Sequence, residues 1–100
     1  MKHVNITLTG KVQRVGFRFY SMEAAARYSI NGFIMNSGHD QVYIEAEGSD
    51  ENIHLFLSWC RKGPVGARVD NLEMSEAPLK NFSGYKVVHR DEFLKKRPFL

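Results

Sequence analysis

The chain reads GKVQRVGFR at residues 10–18, between a predicted strand and a predicted helix. Successive backbone amides in such a tight strand-to-helix turn form a concave anion-binding nest, and the helix start adds partial positive charge. Arg18 adds a guanidinium that can donate two aligned hydrogen bonds to a tetrahedral oxyanion. This stretch therefore predicts a phosphate-binding turn that joins the first strand to the first helix.

The flanking residues predict the first half of the fold. Residues 3–9 alternate apolar and polar side chains, which is typical of a half-buried strand. Residues 17–29 are rich in alanine and predict a helix, and residues 32–36 and 41–47 predict two strands joined by a hairpin turn. The apolar face of that helix is expected at Phe17, Tyr20, Ala24 and Tyr28, and the third strand is expected to face inward at Val42, Ile44 and Ala46 and outward at Tyr43, Glu45 and Glu47.

The second half has equally clear signals. Ser49 is a plausible N-cap for a second helix, whose apolar stripe is Ile53, Phe56, Leu57 and Cys60 and which ends at Gly63-Pro64. Residues 68–74 predict a fourth strand with a bulge near Asp70, and residues 85–90 predict a short last strand. The order β-α-β-β-α-β plus a short fifth strand indicates an α+β, ferredoxin-like α/β sandwich with two helices on one face of an antiparallel sheet. We expect one domain over residues 1–90 and a surface tail over residues 91–100.

This topology predicts that two distant polar residues meet. In a split βαβ unit the first two strands are parallel and a third lies between them, so Arg18, after the first strand, and Asn36, at the end of the second, emerge at the same sheet edge. Two interstrand spacings, roughly 10 Å, separate their backbones. A phosphate group and one water molecule fit that gap.

Composition narrows the classes of function. The 100 residues carry a net charge of +3 without a long basic run, which is consistent with a solvated surface or with weak attraction of a small anion. No apolar run approaches the ~20 residues of a membrane span. The one cysteine, Cys60, has no internal partner, and no secretory leader precedes the first strand, so cytoplasmic localisation is expected. The four histidines lack metal-ligand spacing.

Two separated motifs resemble those of the acylphosphatase family. The family's first signature, G-x-V-Q-G-V-x-F-R, is matched at Gly10, Val12, Gln13, Val15, Phe17 and Arg18. Its second signature is matched at Gly32, Phe33, Asn36, Val42, Glu47 and Gly48. The resemblance extends over about residues 4–90 and implies a hydrolase that cleaves the carboxyl-phosphate bond of small-molecule acyl phosphates.

The resemblance also implies roles for individual residues. The phosphate-binding loop would comprise Gln13, Arg14, Val15, Gly16, Phe17 and Arg18, whose amides bind the phosphate together with the Arg18 guanidinium. The Asn36 side chain would orient the attacking water. No metal or organic cofactor is implied, and we expect a monomer that binds neither nucleic acid nor a membrane. Gln13 could instead support the loop without contacting the substrate.

Two positions depart from the family pattern. Arg14 stands where the family usually has glycine. A positive φ there would strain arginine by about 1–2 kcal/mol, or the loop could adopt a different shape; alternatively, the side chain points outward and adds positive potential. His39-Asp40 replaces the more usual Asp-Gly and predicts altered hairpin detail. These departures leave open a non-catalytic anion-binding or interaction module on the same fold. Nucleic-acid binding is disfavoured because the aromatic RNP pattern is missing.

Overall fold

A computed structural model describes residues 1–89 and places two helices on one face of a five-stranded sheet. The elements are β1 (Lys2–Lys11), α1 (Phe17–Arg27), β2 (Asn31–Asn36), β3 (Gln41–Gly48), α2 (Asp50–Lys62), β4 (Arg68–Ala77) and β5 (Tyr85–Val87). This order confirms the predicted succession. The last strand, predicted over residues 85–90, ends at Val87; residue 90 and the predicted tail, 91–100, lie outside the described residues.

The strand order is β4-β1-β3-β2-β5, so β3 lies between β1 and β2 as the split βαβ unit requires. The pairs β1–β3, β1–β4 and β2–β3 are antiparallel, whereas β5 runs parallel to β2. The expectation of an antiparallel sheet therefore holds for four strands only, and the sheet is mixed. It is mixed because the connection at 78–84 crosses the helix-free face, so that β5 lies next to β2 at the edge opposite β4.

The main core lies between the sheet and the helices. The inward residues of β1 and β3 are fully buried, and α2 contributes the predicted stripe of Ile53, Phe56, Leu57 and Cys60. On α1 the prediction is wrong in one place, because Tyr20 is 46% exposed and Ser21 and Ala25 are buried instead. Small residues on the buried face let α1 approach the sheet closely. Neither helix within residues 1–89 is long and apolar enough to cross a membrane.

A bulge in β4 ends the regular pairing of β1. Thr9 pairs with Asn71 and Gly10 with Val69, which leaves Asp70 as the extra residue at the predicted place. Gly10 has a φ of 140°, and a Cβ atom there would lie 2.2 Å from the carbonyl oxygen of Arg68. Glycine is therefore required where β1 turns towards the loop at residues 12–16.

The helix-free face of β3 is covered by a later segment. The prediction that Glu45 and Glu47 face outward is right about their direction but wrong about their exposure to solvent. These side chains point away from the helices, yet they are only 3% and 2% exposed beneath the 78–84 connection. Glu47 accepts hydrogen bonds from His3 Nδ1 at 2.8 Å and from the backbone amides of Lys80 at 2.6 Å and Phe82 at 2.9 Å. Alternation alone identified the face and could not show that a later segment covers it.

Candidate active site

The loop between β1 and α1 has the backbone expected of an anion nest. Arg14 and Gly16 both adopt left-handed conformations, with φ of 61° and 76°, on either side of Val15. Alternation of left-handed and ordinary residues turns successive amides towards one concave side. Val12 and Phe17, each 1% exposed, fix the two ends of the loop in the core.

The start of α1 leaves its amides available to an anion. Its N-cap is Gly16, which makes no side-chain capping hydrogen bond, and its first turn contains no acidic residue. By contrast, Ser49 Oγ accepts from the Asn52 amide at the start of α2, and Asp50 follows in that first turn. The α1 terminus therefore keeps its partial positive charge for a ligand.

Arg18 contributes a charged group at the same place. Within residues 1–89 its guanidinium makes no hydrogen bond or ion pair, while its backbone carbonyl accepts from Ser21 Oγ at 2.7 Å. A cation at a helix N-terminus is unfavourable by itself. A bound anion would offset this cost, because it would interact favourably with both the amides and the guanidinium.

Gln13 holds the loop against the β2–β3 hairpin. Its side-chain amide donates to the carbonyl oxygens of Gly38 at 2.6 Å and Gln41 at 2.8 Å. The side chain thus supports the loop, which was one of the two readings that its sequence left open. The hairpin keeps its closure without the usual Asp-Gly, because Gly38 supplies the positive φ of 118°.

Asn36 lies at the end of β2, at the predicted edge of the sheet, and is aligned across the strands with core residues. It pairs with Val42, which pairs with Leu8 on β1, and both of these partners face the helices. Paired residues in an antiparallel sheet point to the same side, so Asn36 faces the helix layer too. Among the described side chains, Asn36 Oδ1 is the buried polar atom without a hydrogen-bond partner. Such an atom calls for an explanation, because unmet buried acceptors are rare.

A cleft of about 390 Å³ opens in front of the loop. Its walls bring together most of the predicted loop residues and several residues that sequence reasoning missed. The lining that bears on function is Arg14, Arg18, Phe19, Met22, Val87 and His89. No acidic residue among those described lines it, so the cleft suits an anion. Asn36 is not among the residues that line this cleft; it lies on β2, the strand that pairs with β5.

Arg14 has both the positive φ and the outward-pointing side chain that the sequence allowed. The residue has the positive φ that glycine would adopt without strain, and its side chain is exposed at the cleft. The loop therefore keeps a glycine-type path despite the arginine. The side chain adds a second cation beside Arg18.

Comparison with known proteins shows the family to which this chain belongs. The acylphosphatase family model matches residues 4–87. An acylphosphatase from Oceanobacillus iheyensis is 40% identical over 76% of this chain and 85% of its own length, and one from Lactiplantibacillus plantarum is 33% identical over 89% and 100%. The crystal structure of the Bacillus subtilis acylphosphatase superposes with a TM-score of 0.85 at 26% identity, over 88% of this chain and 99% of that one. The chain belongs to the acylphosphatase family of hydrolases.

Proposed function

We propose that this enzyme hydrolyses the carboxyl-phosphate bond of small-molecule acyl phosphates in the cleft in front of residues 13–18. Family membership supports the reaction class. The uncapped start of α1 and the Arg18 guanidinium, which has no hydrogen-bond or ion-pair partner within residues 1–89, support a phosphate position at the loop. In this proposal one chain supplies every site residue and the enzyme acts as a monomer without a metal or organic cofactor.

The loop and Arg18 bind and polarise the phosphoryl group. The amides of residues 13–18 and the guanidinium hold its equatorial oxygens, where negative charge is spread during phosphoryl transfer. Fixed donors need little reorganisation as the reaction proceeds, so they stabilise the transition state more than water would. This positioning suffices for an acyl phosphate because a carboxylate is a good leaving group.

Asn36 orients the water. Its carbonyl oxygen accepts one O–H of the water and directs a lone pair towards phosphorus. A bond forms between the water oxygen and phosphorus, and the bond from phosphorus to the bridging oxygen breaks with its electron pair leaving on the carboxylate. One water proton stays on the new P–O group and the other passes to a phosphate oxygen, which gives a carboxylate and dihydrogen phosphate.

The observation that carries this proposal is the buried Asn36 Oδ1, which has no hydrogen-bond partner in the part of the chain that the structure describes. It lies on the helix-facing side of the sheet, at the edge where the loop leaves β1. A buried acceptor without a partner costs about 1–3 kcal/mol, and a reacting water would supply its hydrogen bond. The arrangement thus separates two tasks, with phosphate binding at Arg18 and water positioning at Asn36.

Hydrolysis of benzoyl phosphate, followed by its ultraviolet absorbance, tests the proposal. We expect turnover by the wild type and a loss of about 100-fold or more in kcat/KM for Arg18→Ala, as for removal of a transition-state donor. Asn36→Ala should lower kcat to a similar extent while inorganic phosphate still binds. Arg27→Ala, at the other end of α1, and Asn71→Ala, on β4, are controls that should retain wild-type rates.

Two results would contradict the proposal. Turnover that survives both Arg18→Ala and Asn36→Ala would refute the assigned roles. A wild-type protein whose Tm rises with phosphate but which turns over no acyl phosphate would be an anion-binding module on the same fold.

A further inference from the structure

Helix α1 exposes two large apolar side chains beside the proposed phosphate position. Phe19 and Met22 are 62% and 43% exposed and lie three residues apart, so they share one side of the helix. Both line the same cleft as Arg18. The cleft therefore has an apolar end, at Phe19 and Met22, directly next to its cationic end at Arg18.

The end of β5 forms the facing wall. Val87 and His89 are two residues apart and line the cleft together. The parallel pairing of Ile34 with Val87 includes a hydrogen bond from the Val88 amide to the Ile34 carbonyl at 2.9 Å, and β5 ends at Val87. This wall thus lies in the same cleft as Arg18.

We propose that the apolar end, formed by Phe19, Met22 and Val87, binds the acyl group of the substrate and favours acyl phosphates with an aromatic or other apolar acyl group. This inference rests on the proposed function. The acyl carbon is joined to phosphorus through a single oxygen, so a phosphate held at residues 13–18 leaves the acyl group within a few ångströms of these walls. The cleft volume of about 390 Å³ is within the range of small-ligand sites.

The chemistry of the walls favours this occupant. An aromatic ring packed against Phe19 gains contacts in offset or edge-to-face geometry, and the Met22 thioether adapts to ring edges. The described lining contains no acidic residue that would repel the carboxylate product. A small acetyl group would leave most of the apolar wall uncovered.

The test compares kcat/KM for benzoyl phosphate and acetyl phosphate in the same enzyme preparations. We expect Phe19→Ala and Met22→Ala each to lower the benzoyl-to-acetyl ratio about fivefold to tenfold relative to wild type, because benzoyl phosphate loses more contact with the apolar wall than acetyl phosphate does. Met74→Ala is the matched control, because Met74 is 46% exposed and lies on β4 outside this cleft. Its ratio should equal that of the wild type.

Other outcomes would overturn the inference. A ratio unchanged in both variants means that the acyl group does not contact these residues. A lower Tm without a change in ratio would show that the side chains pack against another part of the chain, and loss of a dimer on size exclusion would show that a second copy covers them.

A binding measurement separates this inference from the proposed function. Benzoylphosphonate and acetylphosphonate cannot be hydrolysed at the P–C bond by this route, so their affinities report the cleft alone. Tighter binding of benzoylphosphonate that weakens in Phe19→Ala supports the apolar subsite even if neither phosphate is turned over. Equal affinities for the two phosphonates in the wild type would refute the subsite, whatever the turnover.

Discussion

Replacement of Arg14 by glycine should stabilise the enzyme. Arg14 has a φ of 61°, and this left-handed conformation costs an L-residue about 1–2 kcal/mol. Glycine avoids that cost but gains freedom in the unfolded chain, which removes about 0.5–1 kcal/mol of the benefit. The net gain is about 0.7 kcal/mol, which corresponds to a rise in Tm of about 3–6 °C for a domain of this size.

A second variant separates backbone strain from charge. Arg14 and Arg18 line the same cleft, so removal of the Arg14 side chain also relieves repulsion between two cations. Arg14→Ala keeps the left-handed strain and loses the charge, and its free energy of unfolding should stay within about 0.5 kcal/mol of wild type. Thermal melts of the three proteins at matched ionic strength decide the question. An equal rise in both variants would assign the effect to charge, and a lower Tm for Arg14→Gly would refute the strain argument.

Three further perturbations probe other parts of the account. Gln13→Glu places a carboxylate oxygen against the carbonyls of Gly38 and Gln41, so urea unfolding should show a loss of at least about 1–2 kcal/mol; unchanged stability would contradict the supporting role. Burial acts to raise the pKa of Glu47, but the Lys80 and Phe82 amides and His3 lower it below its ordinary 4.5. The ionised Glu47 therefore stabilises the fold above its ordinary pKa, and this stabilisation is lost as the pH falls through its lowered pKa. In a plot of unfolding free energy against pH, the curve of Glu47→Gln should decrease less steeply at acid pH than that of the wild type. Parallel decreases in the two proteins would contradict this role of Glu47. Burial raises the pKa of the Cys60 thiol, so a disulfide reagent should label it only after unfolding, and rapid labelling of the native enzyme would show an accessible thiol.

Sequence reasoning succeeded where local chemistry and alternation decide structure. The stripe of Ile53, Phe56, Leu57 and Cys60 and the Ser49 cap set the face and the start of α2. It failed at Tyr20, because helical spacing does not reveal which of several neighbouring faces can approach the sheet. It also failed at Glu45 and Glu47, because the segment that covers them follows β4 and its path depends on long-range packing.

Some features of the candidate site could likewise be predicted from the sequence, and others could not. The loop motif and the split βαβ topology predicted that Arg18 and Asn36 approach one sheet edge. The sequence did not decide whether Arg14 has a positive φ, because sequence alone does not give a dihedral angle. Phe19 and Met22 gave no signal, because an exposed apolar residue is ordinary until a cleft is seen beside it. The role of the Gln13 side chain required the position of the hairpin carbonyls.

A crystal structure with bound inorganic phosphate would locate the phosphate position and the water. We expect a phosphate that accepts hydrogen bonds from amides of residues 13–18 and from the Arg18 guanidinium. We also expect a water between the phosphate and Asn36 Oδ1, at hydrogen-bond distance from that oxygen. A phosphate bound away from this loop, or an Asn36 side chain directed away from the phosphate, would contradict the account.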